Sequence, residues 1–280
     1  MNPQETEAAK KLIELALEED VATGDLTTDH LIPVSIRKTA YMIAKAEGVI
    51  AGLPVAEMVF RRLDPSLEWN PEVGEGARVK KGDILVRFQA SYRALLTGER
   101  TALNFLQRLS GIATMSALYA RAISGYKTVV LDTRKTIPGF RLLDKYAVRT
   151  GGATNHRIGL FDMVMIKDNH IDIAGGITPA VSRIRSGIPA GIPIEVETTS
   201  LAQVEEALTA GADVIMLDNM DNGTMAEAVR LINGRAKVEA SGNMTLERLR
   251  EVAATGVDYI SIGALTHSVQ ALDISQRIEV

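Results

Sequence analysis

The sequence predicts an α/β protein, with a parallel sheet in its C-terminal part and a smaller mixed domain before it. Three observations carry this reading. After Tyr126, six short apolar runs rich in β-branched residues recur: KTVVLD, MVMIK, IPIEVE, DVIMLD, AKVEAS and VDYISIG. Helical segments such as LAQVEEALTAGA and MTLERLREVAATGV separate one run from the next. The runs are nearly continuous in apolar residues, as the strands of a parallel sheet covered by helices must be. Six such units, with a weaker seventh, suit a barrel better than an open doubly wound sheet.

Before Tyr126 the pattern differs. Residues 4–19 place Ala8, Leu12, Ile13, Leu15 and Leu17 at amphipathic helical spacing. A loop rich in capping and turn residues, VATGDLTTDHLIP, follows. From Lys38 to Gln89 the chain breaks into β-like pieces, TAYMIAKAEGVIAG and SLEWNPEVGEGARVKKGDILVRFQ, with tight turns at GEG and KKGD. Between them LPVAEMVFRRL has helical spacing.

The longest helical stretch covers residues 91–124, with Leu95, Leu96, Ala102, Leu103, Leu106, Leu109 and Ala113 on its apolar face. Gly98 and the Ser110-Gly111 pair weaken it, so two or three consecutive helices fit the pattern as well as one. The expected division is a mixed domain over 1–110, which includes part of this stretch and could be rejoined by the C-terminal residues. The barrel domain is expected over 111–280.

At 280 residues the chain can bury a large core. Its net charge of −4 gives no electrostatic footprint for nucleic acid or a membrane surface, and 4% aromatic residues leave little for stacking bases. There are no cysteines, which removes disulfides and thiolate metal sites. No window holds the roughly 20 apolar residues of a membrane helix, and no signal-peptide pattern opens the chain. A cytoplasmic protein with neither nucleic-acid nor membrane partner is the expectation.

The chemistry collects where the apolar runs end. Thr133, Arg134 and Lys135 follow KTVVLD, and Lys167 ends MVMIK. Glu197 follows IEV, Asp218 ends VIMLD, and AKVEA leads into Ser241-Gly242-Asn243. The last run opens on Gly263-Ala264, and His156 and Arg157 lie in a glycine-flanked loop, GGATNHR. In a barrel these positions line the C-terminal face of the strands, where active sites assemble.

Arg134, Lys135, His156, Arg157 and Lys167 form a local cationic group inside an acidic protein, so a small ligand with several negative charges is expected. Arginine forks match carboxylates in a bidentate way, which suits a dicarboxylate, although phosphates remain open. Glu197 and Asp218 could bind sugar hydroxyls or Mg²⁺; Asp218 could instead cap the next helix. The Ser241-Gly242-Asn243 and Gly263-Ala264 loops could cradle phosphate through backbone amides, though the same loops also turn the chain into its next helix. From spacing alone Arg100 and Arg108 read as snorkelling surface arginines, and His30 and His170 as local hydrogen-bonding residues. Dinucleotide, P-loop and nucleophile-elbow motifs are missing, and no histidine or carboxylate pair has zinc-ligand spacing.

The segments GERTALNFLQRLSGIAT, DTRKTIPGFRLLDKYAVRTGGATNHRIGL, MIKDNHI, IEVE, VIMLDNM, EASGN and GVDYISIGALTHS closely resemble the quinolinate phosphoribosyltransferase family, the decarboxylating nicotinate-nucleotide pyrophosphorylases of NAD synthesis. The likeness runs in order from GDLTTD to the C-terminus, with no departure at the positions named. It implies an N-terminal α/β sandwich domain followed by an incomplete α/β barrel, the type II phosphoribosyltransferase architecture. It implies quinolinate and phosphoribosyl pyrophosphate as substrates, and a homodimer with shared active sites that could assemble further.

It also implies a role for Arg100, reaching the partner's pocket from the GER motif, in place of the surface role read from spacing. Substrate contacts are implied from Thr133, Arg134, Lys135, His156, Arg157 and Lys167, with Lys135, Glu197 and Asp218 as the catalytic group. Glu197 and Asp218 would serve ribose and Mg²⁺, held directly or through water, and the Ser241-Gly242-Asn243 and Gly263-Ala264 loops the ribose phosphate. The alternatives are a paralogous protein of molybdenum transport operons and a non-catalytic anion-binding barrel.

Overall fold

The computed structural model describes residues 1–279. The chain folds as two compact units. Met1–Ala117, Thr136–Gly152 and the chain from Leu265 onward form the first; Leu118–Lys135 and Ala153–Ala264 form the second.

In the first unit, α1 (Pro3–Val21) starts from a capping box. The Asn2 side chain accepts from the Glu5 amide, and the Glu5 carboxylate accepts from the Asn2 amide. Helix α2 (Leu26–Leu31) is capped by Asp25, which accepts from the Thr27 and Thr28 amides. Then come β1 (Arg37–Ala44), β2 (Gly48–Val49), α3 (Leu53–Leu63), β3 (Glu68–Pro71), β4 (Arg78–Val79) and β5 (Ile84–Ser91). The C-terminal strand β12 (Ile274–Ile278) returns to this unit, giving an antiparallel sheet of order β12-β1-β5-β3, while β2 and β4 pair separately. Ala40, Met42 and Ala44 alternate into the core along β1. Phe60, Phe88 and Trp69 pack ring to ring there, at 4.8 and 4.9 Å between centroids.

Helix α4 (Tyr92–Ala122) is one unbroken helix of 31 residues, not two or three. Its weak points are glycines for a packing reason. A Cβ on Gly98 would lie 2.8 Å from the Leu63 side chain, and one on Gly111 would lie 2.3 Å from the Gln270 carbonyl. Leu95, Leu106, Leu109 and Ile112 are fully buried, so packing outweighs the low helix propensity of glycine. Arg108 also departs from expectation. Rather than snorkelling at the surface, it pairs at 2.8 Å with the buried Asp144 of α5 (Arg141–Thr150) and lies over the Phe140 ring.

The second unit carries β6 (Val129–Leu131), β7 (Val164–Ile166), α6 (Asp168–Ala174), α7 (Ile177–Gly187), β8 (Ile194–Thr198), α8 (Leu201–Thr209) and β9 (Val214–Asp218). It continues with α9 (Asn222–Ile232), β10 (Lys237–Ser241), α10 (Leu249–Ala254) and β11 (Tyr259–Ser261), after which the short α11 (Ala264–His267) begins. The six strands form one sheet of order β6-β11-β10-β9-β8-β7, parallel throughout. Strands β6 and β7 are its two edges, so the sheet is the incomplete barrel expected. Each apolar run is covered on both faces, by helices outside and by the side chains of the other strands inside. A parallel sheet also brings every C-terminal strand end to the same rim.

Candidate active site

That rim gathers the residues singled out in the second unit. Sheet order sets Thr133–Lys135 beyond β6 next to Gly263-Ala264 beyond β11. Ser241, Asp218, Glu197 and Lys167 follow across β10, β9, β8 and β7. Ser241 and Asp218 are direct partners in the ladder. Lys167 and Glu197, on neighbouring strands, form an ion pair at 3.4 Å. The Lys135 amide donates to the Thr133 hydroxyl at 3.1 Å, which folds the segment after β6 back on itself. Arg134 and Lys135 are exposed, while Arg157, Glu197 and Asp218 are half-buried. Arg100 belongs to the first unit, where it is exposed on α4.

The local geometry decides between the readings left open for the loops. Asp218 does not cap α9; Asp221 does, accepting from the Thr224 amide at 2.9 Å. The Asp218 carboxylate stays at the rim, where its Oδ2 accepts from Asn219 Nδ2. Asn219 in turn accepts from Asn243 Nδ2 through its Oδ1. Asn219 and Asn243 have φ of 55° and 49°, the left-handed region that asparagine tolerates best after glycine. Gly242, at φ 89°, sits against Asn219 so closely that a Cβ would lie 2.2 Å from its Oδ1. The Ser241-Gly242-Asn243 loop does not run directly into a helix, because α10 begins only at Leu249. Any anion it holds is therefore met by loop amides without a helix end. His170 is local, as expected: its Nδ1 accepts from the Lys167 amide at 3.0 Å.

Below the rim lies a group that spacing along the chain could not show. His156 Nε2 is 3.0 Å from Glu195 and 3.3 Å from Glu239, and its backbone amide donates to Asp132 at 2.7 Å. Glu195 and Glu239 are 0% and 1% exposed. Burial alone would lower the ring's pKa, but the two glutamates outweigh it and push the value up to about 10. Burial, partly relieved by His156 and reinforced by Glu239, pushes Glu195 up to about 7. The Arg157 amide donates to Nδ1 at 2.8 Å and so works against a second ring proton there. Nε2 thus carries a hydrogen in either form of the ring. At Arg157 itself, burial and the neighbouring Arg134 both act against the guanidinium charge. An arriving anion would relieve that repulsion.

The arrangement is a cationic rim over a ring of carboxylates, on a half-open parallel barrel. Residues 25–110 match the family model described as quinolinate phosphoribosyl transferase, N-terminal domain, and residues 112–277 match the model of its C-terminal domain. The chain belongs to the quinolinate phosphoribosyltransferase family. A curated relative from Nicotiana tabacum, a decarboxylating quinolinate phosphoribosyltransferase, is 45% identical over 96% of this chain and 82% of its own. Two solved structures have the same architecture. NadC from Streptococcus pyogenes is 40% identical with a TM-score of 0.95, covering 100% of this chain and 98% of its own. The nicotinate-nucleotide pyrophosphorylase from Francisella tularensis is 41% identical with a TM-score of 0.94, covering 98% and 96%. Among the described residues, no helix is long and apolar enough to cross a membrane.

Proposed function

We propose that this chain transfers the phosphoribosyl group of phosphoribosyl pyrophosphate to the nitrogen of quinolinate, releasing pyrophosphate and carbon dioxide and leaving nicotinate mononucleotide. The observation that carries this reading is the crowding of Arg157 and Arg134 at one rim, where burial and the neighbouring Arg134 both act against the Arg157 charge until an anion arrives. Family membership supports the same substrates. Arg134, Arg157 and His156 would meet the two carboxylates of quinolinate, with Thr133 and Lys167 beside them. Lys135 would hold the pyrophosphate, and the loops at Ser241-Gly242-Asn243 and Gly263-Ala264 the ribose phosphate.

As the bond from the anomeric carbon to pyrophosphate loosens, positive charge develops on the ribose. Glu197 and Asp218 are prepared to stabilise it, an electrostatic role that needs no covalent nucleophile. After nitrogen attack the ring is a pyridinium, whose positive nitrogen stabilises the electron pair left on the adjacent carbon as carbon dioxide departs, and a proton from solvent then takes the place of the lost carboxylate. The donor set at Glu197 and Asp218, two half-buried carboxylates on neighbouring strands, fits Mg²⁺, a hard cation that binds through one or two carboxylates plus substrate phosphates. When bound, that ion would offset the negative charge of the pyrophosphate. Quinolinate-dependent release of carbon dioxide and pyrophosphate from the purified protein is the expected result; no turnover with both substrates and Mg²⁺ would overturn the reading.

A homodimer in the cytoplasm, sharing its sites between subunits, is part of the proposal. Leu160 and Ile173 are exposed around a cavity of about 460 Å³ that Arg157, Met165 and His170 also line, and Phe161 is exposed next to Leu160 in the chain. In the other unit, Leu26, Leu31 and Val34 are exposed as well. Apolar side chains grouped this way favour burial against another protein surface. Arg100, exposed on α4, would then serve the neighbour's pocket. Light scattering should give twice the mass of one chain.

A further inference from the structure

Two acids remain that the rim does not explain. Glu195 and Glu239 lie two residues before Glu197 and Ser241 on their strands, and so face the same interior one layer deeper. Layers at that depth of a barrel ordinarily hold valine, isoleucine or leucine. Here the side chains are carboxylates with no appreciable exposure, and neither Oε1 has a hydrogen-bond partner among the described residues. Removing two such groups from water is costly, and well-packed apolar residues in their place are often neutral or stabilising. Stability alone is therefore a weak reason for this pair.

Both acids meet His156 Nε2, at 3.0 and 3.3 Å. Asp132, itself buried, accepts the backbone amide of His156 and a hydrogen bond from Asn155 Nδ2. The residue is held from three strands: at its ring from β8 and β10, at its backbone from the end of β6. Arg157 is the next residue in the chain, and its guanidinium donates to the Met163 carbonyl at 3.0 Å. The three donor atoms of His156, Glu195 and Glu239 lie within 4.8 Å of one another, close enough to ligate a cation. The ring argues against that use, since Nε2 carries the hydrogen and has no lone pair to offer.

We propose that Glu195 and Glu239 are positioning residues for the pyridine dicarboxylate. They hold the His156 ring by Nε2, which fixes the ring below the rim and keeps the adjoining Arg157 at the rim. The proposal rests on the reading of this rim as the quinolinate pocket.

The test is steady-state kinetics of the Glu195→Gln/Glu239→Gln double variant, with its melting temperature. Gln keeps the shape and removes the charge. The expected result is a KM for quinolinate raised about tenfold or more, with kcat and the KM for phosphoribosyl pyrophosphate within about twofold in a variant that still unfolds cooperatively. An unchanged KM for quinolinate in the folded variant would overturn it. So would an equal rise in both KM values, which marks the acids as merely structural. If the double variant does not fold, Glu239→Gln alone is read by the same criteria. Arg134→Ala is the control for the pocket itself: if that change also leaves the KM for quinolinate untouched, the pocket reading fails, and the proposal with it.

Discussion

At the scale of single residues, this protein concentrates unlike charges in layers. Cations occupy the rim, with Glu197 and Asp218 on the strands beside them and Glu195, Glu239 and Asp132 beneath or behind His156. Arg134 is the cation whose loss tests the rim most directly, because it is exposed beyond the end of β6. Arg134→Ala should lower kcat/KM for quinolinate by about 100-fold, about 2.7 kcal/mol, with unchanged thermal unfolding. Near-normal kcat/KM would remove the residue from the pocket.

His156 makes a prediction of stability against pH. Its folded-state pKa lies above its ordinary 6.5, at about 10. The stability owed to its charge is therefore complete below about pH 6.5, declines from there to about pH 10, and is gone above. Urea unfolding of the protein and of His156→Gln should show a stability gap that narrows steadily from pH 7 to pH 10.5. A gap that stays constant or widens would contradict the role given to the two glutamates.

Among the elements, α4 and the loop after β10 show opposite uses of glycine. In an exposed helix, Gly→Ala gains about 1 kcal/mol. At Gly111 the added methyl would meet the Gln270 carbonyl at 2.3 Å, a backbone atom that cannot swing aside. Gly111→Ala should instead destabilise by about 1–3 kcal/mol, read from chemical denaturation. Gly242 is needed for its φ of 89° and for the space taken by Asn219, which ties the phosphate-type loop to Asp218. The first case is legible in the sequence only as a weakness in a helix. Its meaning lies in a segment nearly 160 residues further along the chain.

For the molecule as a whole, the shared site is the property to test. Arg100→Ala and Lys167→Ala proteins should each be nearly inactive. Mixed under conditions of confirmed subunit exchange, they should regain activity, because some heterodimers carry one intact site. The theoretical ceiling for random exchange is about a quarter of wild-type activity, since half the dimers are mixed and one of their two sites is whole. No recovery would count against the shared site.

The fold class and the order of strands along the chain are legible in the amino-acid sequence, as is the placing of charged and glycine-rich residues at strand ends. Apolar runs that end in charged or glycine-rich residues are local patterns, and a parallel sheet turns a shared position at the strand end into shared space. It also carried the family likeness, because the motifs are contiguous. The features that needed the folded chain are long-range. The pairing of β12 with β1, the continuity of α4 and the Arg108–Asp144 pair all depend on segments far apart in the chain. The same is true of the trio beneath the rim: His156, Glu195 and Glu239 come from one loop and two strands, and nothing in their spacing sets them apart. Strand periodicity marks which residues share a face, but packing across the barrel decides which of them touch.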